Sequence, residues 1–298
     1  MFGVKPWGDY IEYVTGGRVK VEFYPDSQLT TWKDALQACE SGLIDMTQLW
    51  NPVLPGKLPL FEMFSLPGLM SENWAINNCV VRDLKEKYPQ FDAQFSDQVV
   101  SFHNMVHMPS DVHSIEPIRT LSDLKGKTVA TTNEAGAAVL ATLGAGAQVT
   151  AAGGDIYMGL QRGTFDAAFG AWGWVTAFKF EEVAPYHLML RLAPGSSSWV
   201  MNRETYNKFT PEEQMFLKEY EYRGMFNGAR GAIYTAMTAM EAIPRDKIFS
   251  LSDEDKAQLK TLFRPAWDEW AEKMEEMGYP GKDIIEDTIR WVEGYSLN

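Results

Sequence analysis

The sequence predicts an α/β protein of two domains, each a mixed, mostly parallel sheet flanked by helices, with one long helix shared by both. Three observations predict it. Strand-like and helix-like segments alternate through residues 16–50 and again through 121–172, the grammar of layered α/β folds. Two stretches echo one another, "ALQACESGLIDMTQLW" (35–50) and "GLQRGTFDAAFGAW" (159–172). Each runs leucine-glutamine, a helix-ending glycine, two residues, an aspartate (Asp45, Asp166), then a strand into an aromatic, a weak internal repeat. A helix ahead of each strand calls for crossover connections and so for parallel neighbours. Finally, an apolar helical pattern fills residues 210–243, longer than one domain of this size is wide.

The elements follow in order. Residues 16–29, "GGRVKVEFYPDSQL", read as a glycine turn and a strand, with Val19, Val21 and Phe23 alternating against Lys20, Glu22 and Tyr24. "TTWKDALQACESG" gives a helix capped by Thr30 or Thr31 and ended by Gly42, and "LIDMTQLW" a short buried strand. Later, "LSDLKGKTVATT" gives a helical turn and a strand, "NEAGAAVLATLGA" and "GDIYMGLQRG" give helices, and "TFDAAFGAW" a strand. Continued to Trp174, that strand would put Trp172 and Trp174 on one face and Phe169 on the other. In "TPEEQ", Thr210 suits an N-cap, Pro211 the first helical position, and Glu213 completes a capping box. The helix it opens stops before Pro244 and would be about 50 Å long at about 1.5 Å per residue, with Gly224 and Gly228 as places for a kink. Residues 253–279 and 283–295 read as two more amphipathic helices whose aromatics are core.

Composition narrows the function. The chain has 298 residues, 45% of them hydrophobic, and a net charge of −13. Nucleic acid and anionic lipid both need clustered Lys and Arg, so neither is an expected partner. No apolar run approaches the roughly 18 residues that a membrane span requires. The first residues lack the charged-then-apolar pattern of a signal peptide, which leaves a cytosolic chain or a removed leader open. Cys39 and Cys79 give neither a disulfide framework nor a zinc site; Cys39, in a helical pattern, reads as a buried free thiol.

Catalytic and cofactor motifs are mostly refused. The GKT of "LKGKTVATT" lacks the earlier glycine of a phosphate loop, since Leu121 stands there. "GAGAQV" holds two of the three dinucleotide-binding glycines. His103 and His107 would share a strand face, which keeps a metal pair open, but the zinc-protease glutamate is missing. "PGSSSW" is a loop rather than a nucleophile elbow. No cofactor, catalytic residue or resident metal is expected; an enzyme on a two-domain α/β scaffold is the outlying alternative.

The chain resembles the solute-binding component of TRAP transporters, the DctP-like family. The resemblance rests on "TGGRVKVEFYPDSQL", "ALQACESGLIDM", "FSLPGL", "PIRTLSDLKGKTV", "LGA" at 143–145, "DIYMGLQRGTFDA" and "EEVAPYH", in that order and spacing. It implies a periplasmic binding protein fold whose domains close on a ligand, a long bracing helix, and a membrane permease as partner. The implied division is 1–112 plus 203–298 against 113–202, with hinges near 110–118 and 196–204. In this family a strand usually precedes the helix that "WGDYIEYVTGG" resembles; the sequence begins at that helix, so the chain is expected to be incomplete there.

Departures from the family pattern guide the expected ligand. The arginine that pairs a substrate carboxylate falls at Ala130, a second basic position at Glu116, a common asparagine at Gly170, and bulk near "DIYMGLQ" at Gly153 and Gly154. A carboxylate would lose a charge-assisted pair worth roughly 1.5–3 kcal/mol. A small organic cation or amino alcohol would gain Glu116 and indole faces. The tryptophans as pocket wall and the tryptophans as core both stay open. The expected ligand set is therefore Glu116 with Trp172, Trp174 and Phe169, faced by Trp50 and Trp199, with Asn133 at a helix start and Gln48 and Phe64 as further lining. The alternative is an aromatic or other organic acid, its charge taken by Arg119, Arg162 or Arg191.

Overall fold

Residues 4–25, 27–150 and 153–297 are described by a computed structural model, with the side chains of 4–6, 103, 220–230 and 232 outside that description. The helices are α1 (Val4–Val14), α2 (Ala35–Glu40), α3 (Trp74–Lys87), α4 (Glu134–Thr142) and α5 (Gly153–Gln161). They continue with α6 (Trp172–Ala177), α7 (Arg203–Tyr206), α8 (Pro211–Ala242), α9 (Asp253–Glu276) and α10 (Gly281–Ser296). The first strands are β1 (Met46–Trp50), β2 (Val99–Val106), β3 (Ser110–Ser114), β4 (Thr128–Thr131) and β5 (Gly146–Val149). The rest are β6 (Ala167–Gly170), β7 (Tyr186–Leu192), β8 (Ser196–Asn202) and β9 (Ile248–Ser250).

Two units emerge, residues 1–62, 78–107 and 196–232, and residues 63–77, 108–195 and 233–298. These differ from the division implied by the resemblance. The strand at 196–202 belongs to the first unit's sheet, and the C-terminal helices to the second unit, because Leu259 and Phe263 of α9 complete that unit's core.

Unit 1 holds a three-stranded sheet, ordered β1-β8-β2, in which both pairings are antiparallel. The expected parallel arrangement is absent here because β8 runs back between its neighbours. Its apolar end packs Met46, Val100 and Met201 under Trp7 and Ile11 of α1 and under Tyr206, Phe209 and Leu217. The strand expected in 16–29 does not form. Val19 and Val21 still pack on that core, but their backbone N–H groups donate to Thr15 Oγ1 and Glu12 Oε1 of the α1 segment instead of to a neighbouring strand. Helix α2 starts at Ala35, later than the threonines suggest; Thr31 caps the turn before it, its Oγ1 accepting from Asp34 N at 3.3 Å and donating to the Asp34 carboxylate at 2.6 Å.

Unit 2 holds a six-stranded sheet, β5-β4-β6-β3-β7-β9. Strand β4 is parallel to β5 and β6, β7 is parallel to β9, and β3 is antiparallel to both its neighbours. One face is apolar: Val112, Val129, Phe169, Leu188 and Leu190 pack on Val139 and Leu140 of α4 and on α9. The side chains of both echoed aspartates, expected to form turns, bond to distant segments instead. Asp166 Oδ2 accepts from Thr128 N at 2.8 Å, and Asp45 accepts from the Thr205 hydroxyl. The capping box at Thr210 forms, with Glu213 Oε2 accepting from Thr210 N and Thr210 Oγ1 accepting from Glu213 N. Helix α8 then runs as one element to Ala242, through the expected kink positions Gly224 and Gly228, and supplies residues to both units. Cys39 and Cys79 are free thiols, and burial pushes the Cys39 pKa up to about 12.

Candidate ligand-binding site

The second face of the unit 2 sheet is unlike the first. Since side chains alternate along a strand, β7 sends His187, Met189 and Arg191 to the side opposite Leu188 and Leu190. Asp111 and His113 of β3 join them, opposite Val112. Four polar or charged groups thus share a largely buried layer.

A bulge organises this layer. Ser110 pairs with Leu192 and Val112 with Leu188, so three residues of β7 oppose Asp111 alone. Arg191 sits in this bulge with φ of 56°, a conformation rarely adopted by residues other than glycine and worth about 1–3 kcal/mol of strain. Asp111 compensates: it accepts from the backbone N–H groups of Arg191 (2.8 Å) and Leu190, and from Trp172 Nε1 (2.7 Å). The Arg191 guanidinium stands 3.4 Å from the same carboxylate, its side chain 14% exposed. Burial raises the Asp111 pKa to about 6, against the pull of these donors. Among the described residues Arg191 otherwise meets only Met189 Sδ, so most of its five N–H donors are uncommitted.

The histidines are wired in one direction. His113 Nε2 faces Gly170 O at 3.2 Å, and a carbonyl only accepts, so that nitrogen carries the proton. His113 Nδ1 must then accept, at 2.8 Å, from His187 Nδ1–H. His187 Nε2 is left as a bare buried acceptor with no partner among the described residues. Burial holds both rings well below the usual imidazole range, His113 to about 3 with further lowering by His187, and His187 to about 4. The Trp172 ring lies against both, at centroid distances of 5.4 and 4.8 Å.

Unit 1 carries a second polar surface. Directly opposed residues of an antiparallel ladder point to the same side, so the pairs Gln48–Trp199 and Trp50–Ser197 lie on one face. Met105 also pairs with Ser197, and His107, two residues on, shares that side. Gln48 Nε2 donates to Ser197 Oγ (3.0 Å), which also meets His107 Nε2 (2.9 Å). Trp50 meets the His107 ring edge-to-face at 5.0 Å, and burial lowers the His107 pKa.

The expected residues therefore separate. Gln48, Trp50 and Trp199 share the unit 1 surface and are half-buried. Trp172 and Trp174 do not continue strand β6. They fall on α6, roughly 200° apart around it, because Gly170 ends the strand and Ala171 turns the chain. Trp172 is buried beside Asp111, whereas Trp174 packs over Gly170, where an added Cβ would overlap its ring. Trp174 also shares an apolar cluster with Ala130, so this indole contributes to packing beside the position of the missing arginine. Phe169 is buried in the opposite face, and Phe64 is fully buried. Asn133 caps α4, accepting from Gly136 N at 2.8 Å. Gly153 does not open space, since a Cβ there would overlap Phe178.

Glu116 is exposed and at the wrong end. Asp111 pairs with Gly170 and Ser114 with Ala167, so the chain leaves β3 at the opposite end of β6 from Trp172. At about 3.3 Å per residue, Glu116 stands on the order of 15 Å from the indole it was expected to join. Arg119 lies over the Phe249 ring and Arg162 is exposed, which singles out Arg191. Sequence reasoning missed Asp111, His113, His187 and Ser197 altogether. The paired His103–His107 metal reading falls on His103, whose side chain lies outside the described residues.

A two-unit α/β fold with a long helix, and a buried arginine with spare donors, describes a protein built to hold a small solute. The chain belongs to the family of bacterial extracellular solute-binding proteins, family 7, whose model matches residues 2–273. It is 26% identical over 216 residues to YiiZ of Salmonella typhimurium LT2, covering 71% of this chain and 64% of that protein. It is 24% identical to the 2,3-diketo-L-gulonate-binding periplasmic protein YiaO of Escherichia coli K12, covering 72% and 65%. The chain thus aligns with just under two thirds of the length of these two relatives. Among solved structures, the TRAP solute-binding protein of Rhodoferax ferrireducens T118, in complex with copurified benzoate, matches with a TM-score of 0.83 at 21% identity, covering 98% of this chain and 92% of that one. A TRAP periplasmic solute-binding protein of Bordetella bronchiseptica, with bound (R)- and (S)-mandelate, matches with a TM-score of 0.84 at 18%, covering 98% and 93%. At such identities these likenesses establish the fold. No described helix is long and apolar enough to cross a membrane.

Proposed function

We propose that this chain is the periplasmic solute-binding component of a TRAP transporter, that it captures an organic acid, and that it delivers the acid to a membrane permease. The observation that carries the acid reading is Arg191, a mostly buried guanidinium with uncommitted donors, held in a strained conformation by Asp111. Strain kept at one arginine by a dedicated carboxylate suits a side chain that has to point at something. A planar guanidinium also matches a carboxylate in a two-bond geometry.

The amine reading has less support. Its acidic partner, Glu116, is exposed and far from Trp172 along the sheet, and the relatives with named small-molecule ligands bind acids: 2,3-diketo-L-gulonate, benzoate and mandelate. Calorimetric titration with benzoate, mandelate, ethanolamine and choline separates the two. Acids should bind, and Arg191→Met should weaken them by about 10- to 150-fold, the equivalent of roughly 1.5–3 kcal/mol. Arg191→Lys should fall between. Binding of the amines alone, or acid affinity indifferent to Arg191→Met, would refute the acid reading.

A further inference from the structure

The charged layer of unit 2 ends on a soft atom, the Met189 sulfur. We infer that Met189 is an oxidation site through which a peroxide closes off Arg191, because its sulfoxide takes guanidinium N–H groups that a bound acid needs. The effect on affinity rests on the acid reading; the oxidation and the capture of Arg191 are measured without any ligand.

Two features bring the side chains together and hold them there. Arg191 Nη2 donates to Met189 Sδ at 3.4 Å, a weak bond because a thioether is a poor acceptor. The φ of 56° at Arg191 and the grip of Asp111 on its backbone N–H fix the arginine beside that sulfur. Met189 is also within reach of a small oxidant. With Met108 and Met240 it packs on the outside of a cluster formed by Trp172, Val175, Ala236, Ala239 and Ile243, and all three methionines are half-buried.

The chemistry balances with a peroxide as the one co-reactant. A thioether sulfur has two lone pairs, and the guanidinium occupies one. The other attacks an oxygen of hydrogen peroxide, so that an S–O bond forms and the O–O bond breaks. Sulfur is oxidised by two electrons and the peroxide is reduced. The departing hydroxide takes the proton from the oxygen left on sulfur and leaves as water. Spare Arg191 N–H groups beside the sulfur can hydrogen-bond that departing oxygen.

The product changes what Arg191 faces. Oxidation turns a flexible apolar side chain into a polar one. The sulfoxide oxygen is a far better acceptor than the sulfur, and a guanidinium bond to it is charge-assisted, at about 2.8–2.9 Å. Arg191 is then shared between Asp111 and the sulfoxide. A ligand carboxylate loses its two-bond match to the fork and has to compete for the donors that remain.

Hydrogen peroxide treatment of the unsubstituted protein and of Met189→Leu tests this. Peptide mass mapping should show one oxygen added at Met189 after the exposed Met215 and Met237 have reacted, and before the fully buried Met63 and Met274 react. In protein labelled with 15N-arginine, the Arg191 side-chain signal is assigned by its loss in Arg191→Met. It should shift on oxidation of the unsubstituted protein and stay in place in Met189→Leu. Calorimetric benzoate affinity should fall about 5- to 20-fold on oxidation, and within about twofold in Met189→Leu, each protein compared with its own untreated form. The two epimer-specific methionine sulfoxide reductases should restore it. Circular dichroism keeps unfolded protein out of the comparison. A Met189 that resists peroxide as long as Met63 and Met274, an Arg191 signal indifferent to oxidation, or an equal affinity loss in Met189→Leu overturns the inference. Failure of every acid to bind untreated protein, with the Arg191 shift still present, would sink the acid reading and leave the oxidation site standing.

Discussion

Each unit sets a tryptophan against a histidine at or just past the end of an echoed strand, yet the chemistry around the two pairs is opposite. In unit 1, Trp50 meets His107 at 5.0 Å in a set of uncharged partners, Gln48, Ser197 and, on the other side of the sheet, Asn51 with Ser196 and Ser198. In unit 2, Trp172 meets His187 at 4.8 Å in a layer holding an aspartate and an arginine. The hydroxyls of unit 1 can exchange partners, so losing one leaves others. In unit 2 one carboxylate is fully committed, serving an indole, a guanidinium and two backbone amides. A similar sequence signal thus supports an adaptable surface in one unit and a rigid charged one in the other.

The largest expected effect breaks the charged side. Asp111→Ala strands the Arg191 charge and its bulge amides, and should cost about 3–5 kcal/mol in urea denaturation. Ser197→Ala should cost about 1 kcal/mol or less by the same measurement. Similar losses for the two would erase the distinction between the units.

Acid should expose the difference next. His113 and His187 have folded pKa values depressed to about 3 and about 4 from 6.5. Their unfolded forms take protons first, so their contribution is present above pH 6.5 and is lost as pH falls toward 4. Asp111, raised to about 6, acts in the opposite sense: protonation in the fold adds stability as pH falls below 6. The nearby Lys247 charge also lowers the His187 pKa. Between pH 6.5 and 5, with His107 of unit 1 acting in the same sense as the other two histidines, the net loss should be about 3–4 kcal/mol, read from urea midpoints. The double variant His113→Phe/His187→Phe should flatten or reverse that slope, whereas His107→Phe in unit 1 should change it less.

Packing sharpens the comparison at a smaller scale. Gly153→Ala and Gly170→Ala drive a methyl into Phe178 and Trp174, and should each cost about 1–3 kcal/mol in thermal unfolding. Gly154→Ala, with open space around it in the first turn of α5, should instead be neutral or stabilise by up to about 1 kcal/mol. Smallest of all, Ser198→Ala leaves Asn51 Nδ2 its bond to Ser196 Oγ, and should cost roughly 0.5–1 kcal/mol.

Local rules carried the sequence reading a long way. The Thr210–Glu213 box and the helices after β4 and β5 depend on neighbours within a few residues, and all formed. The failures share a cause. Residues 18–25 alternate like a strand, but a strand needs a partner, and here the α1 segment takes up their N–H groups. Trp172 and Trp174 looked like strand neighbours because the turn at Gly170–Ala171 has no proline or cap residue to mark it. Asp111, His113 and His187 carried no motif at all, being assembled from strands far apart in sequence.

By itself the sequence determined the class of fold, the long helix and its start, the free buried Cys39, and the family, since each is written in periodicity, capping chemistry or ordered motifs. Only the tertiary structure decided that Glu116 and Trp172 lie at opposite ends of a sheet, that Arg191 is the arginine held by a buried carboxylate, and that three of the expected residues share a face with His107 and Ser197. The physical reason is register: which side chains meet across a sheet depends on pairing direction and bulges, and neither is encoded in any short stretch of chain.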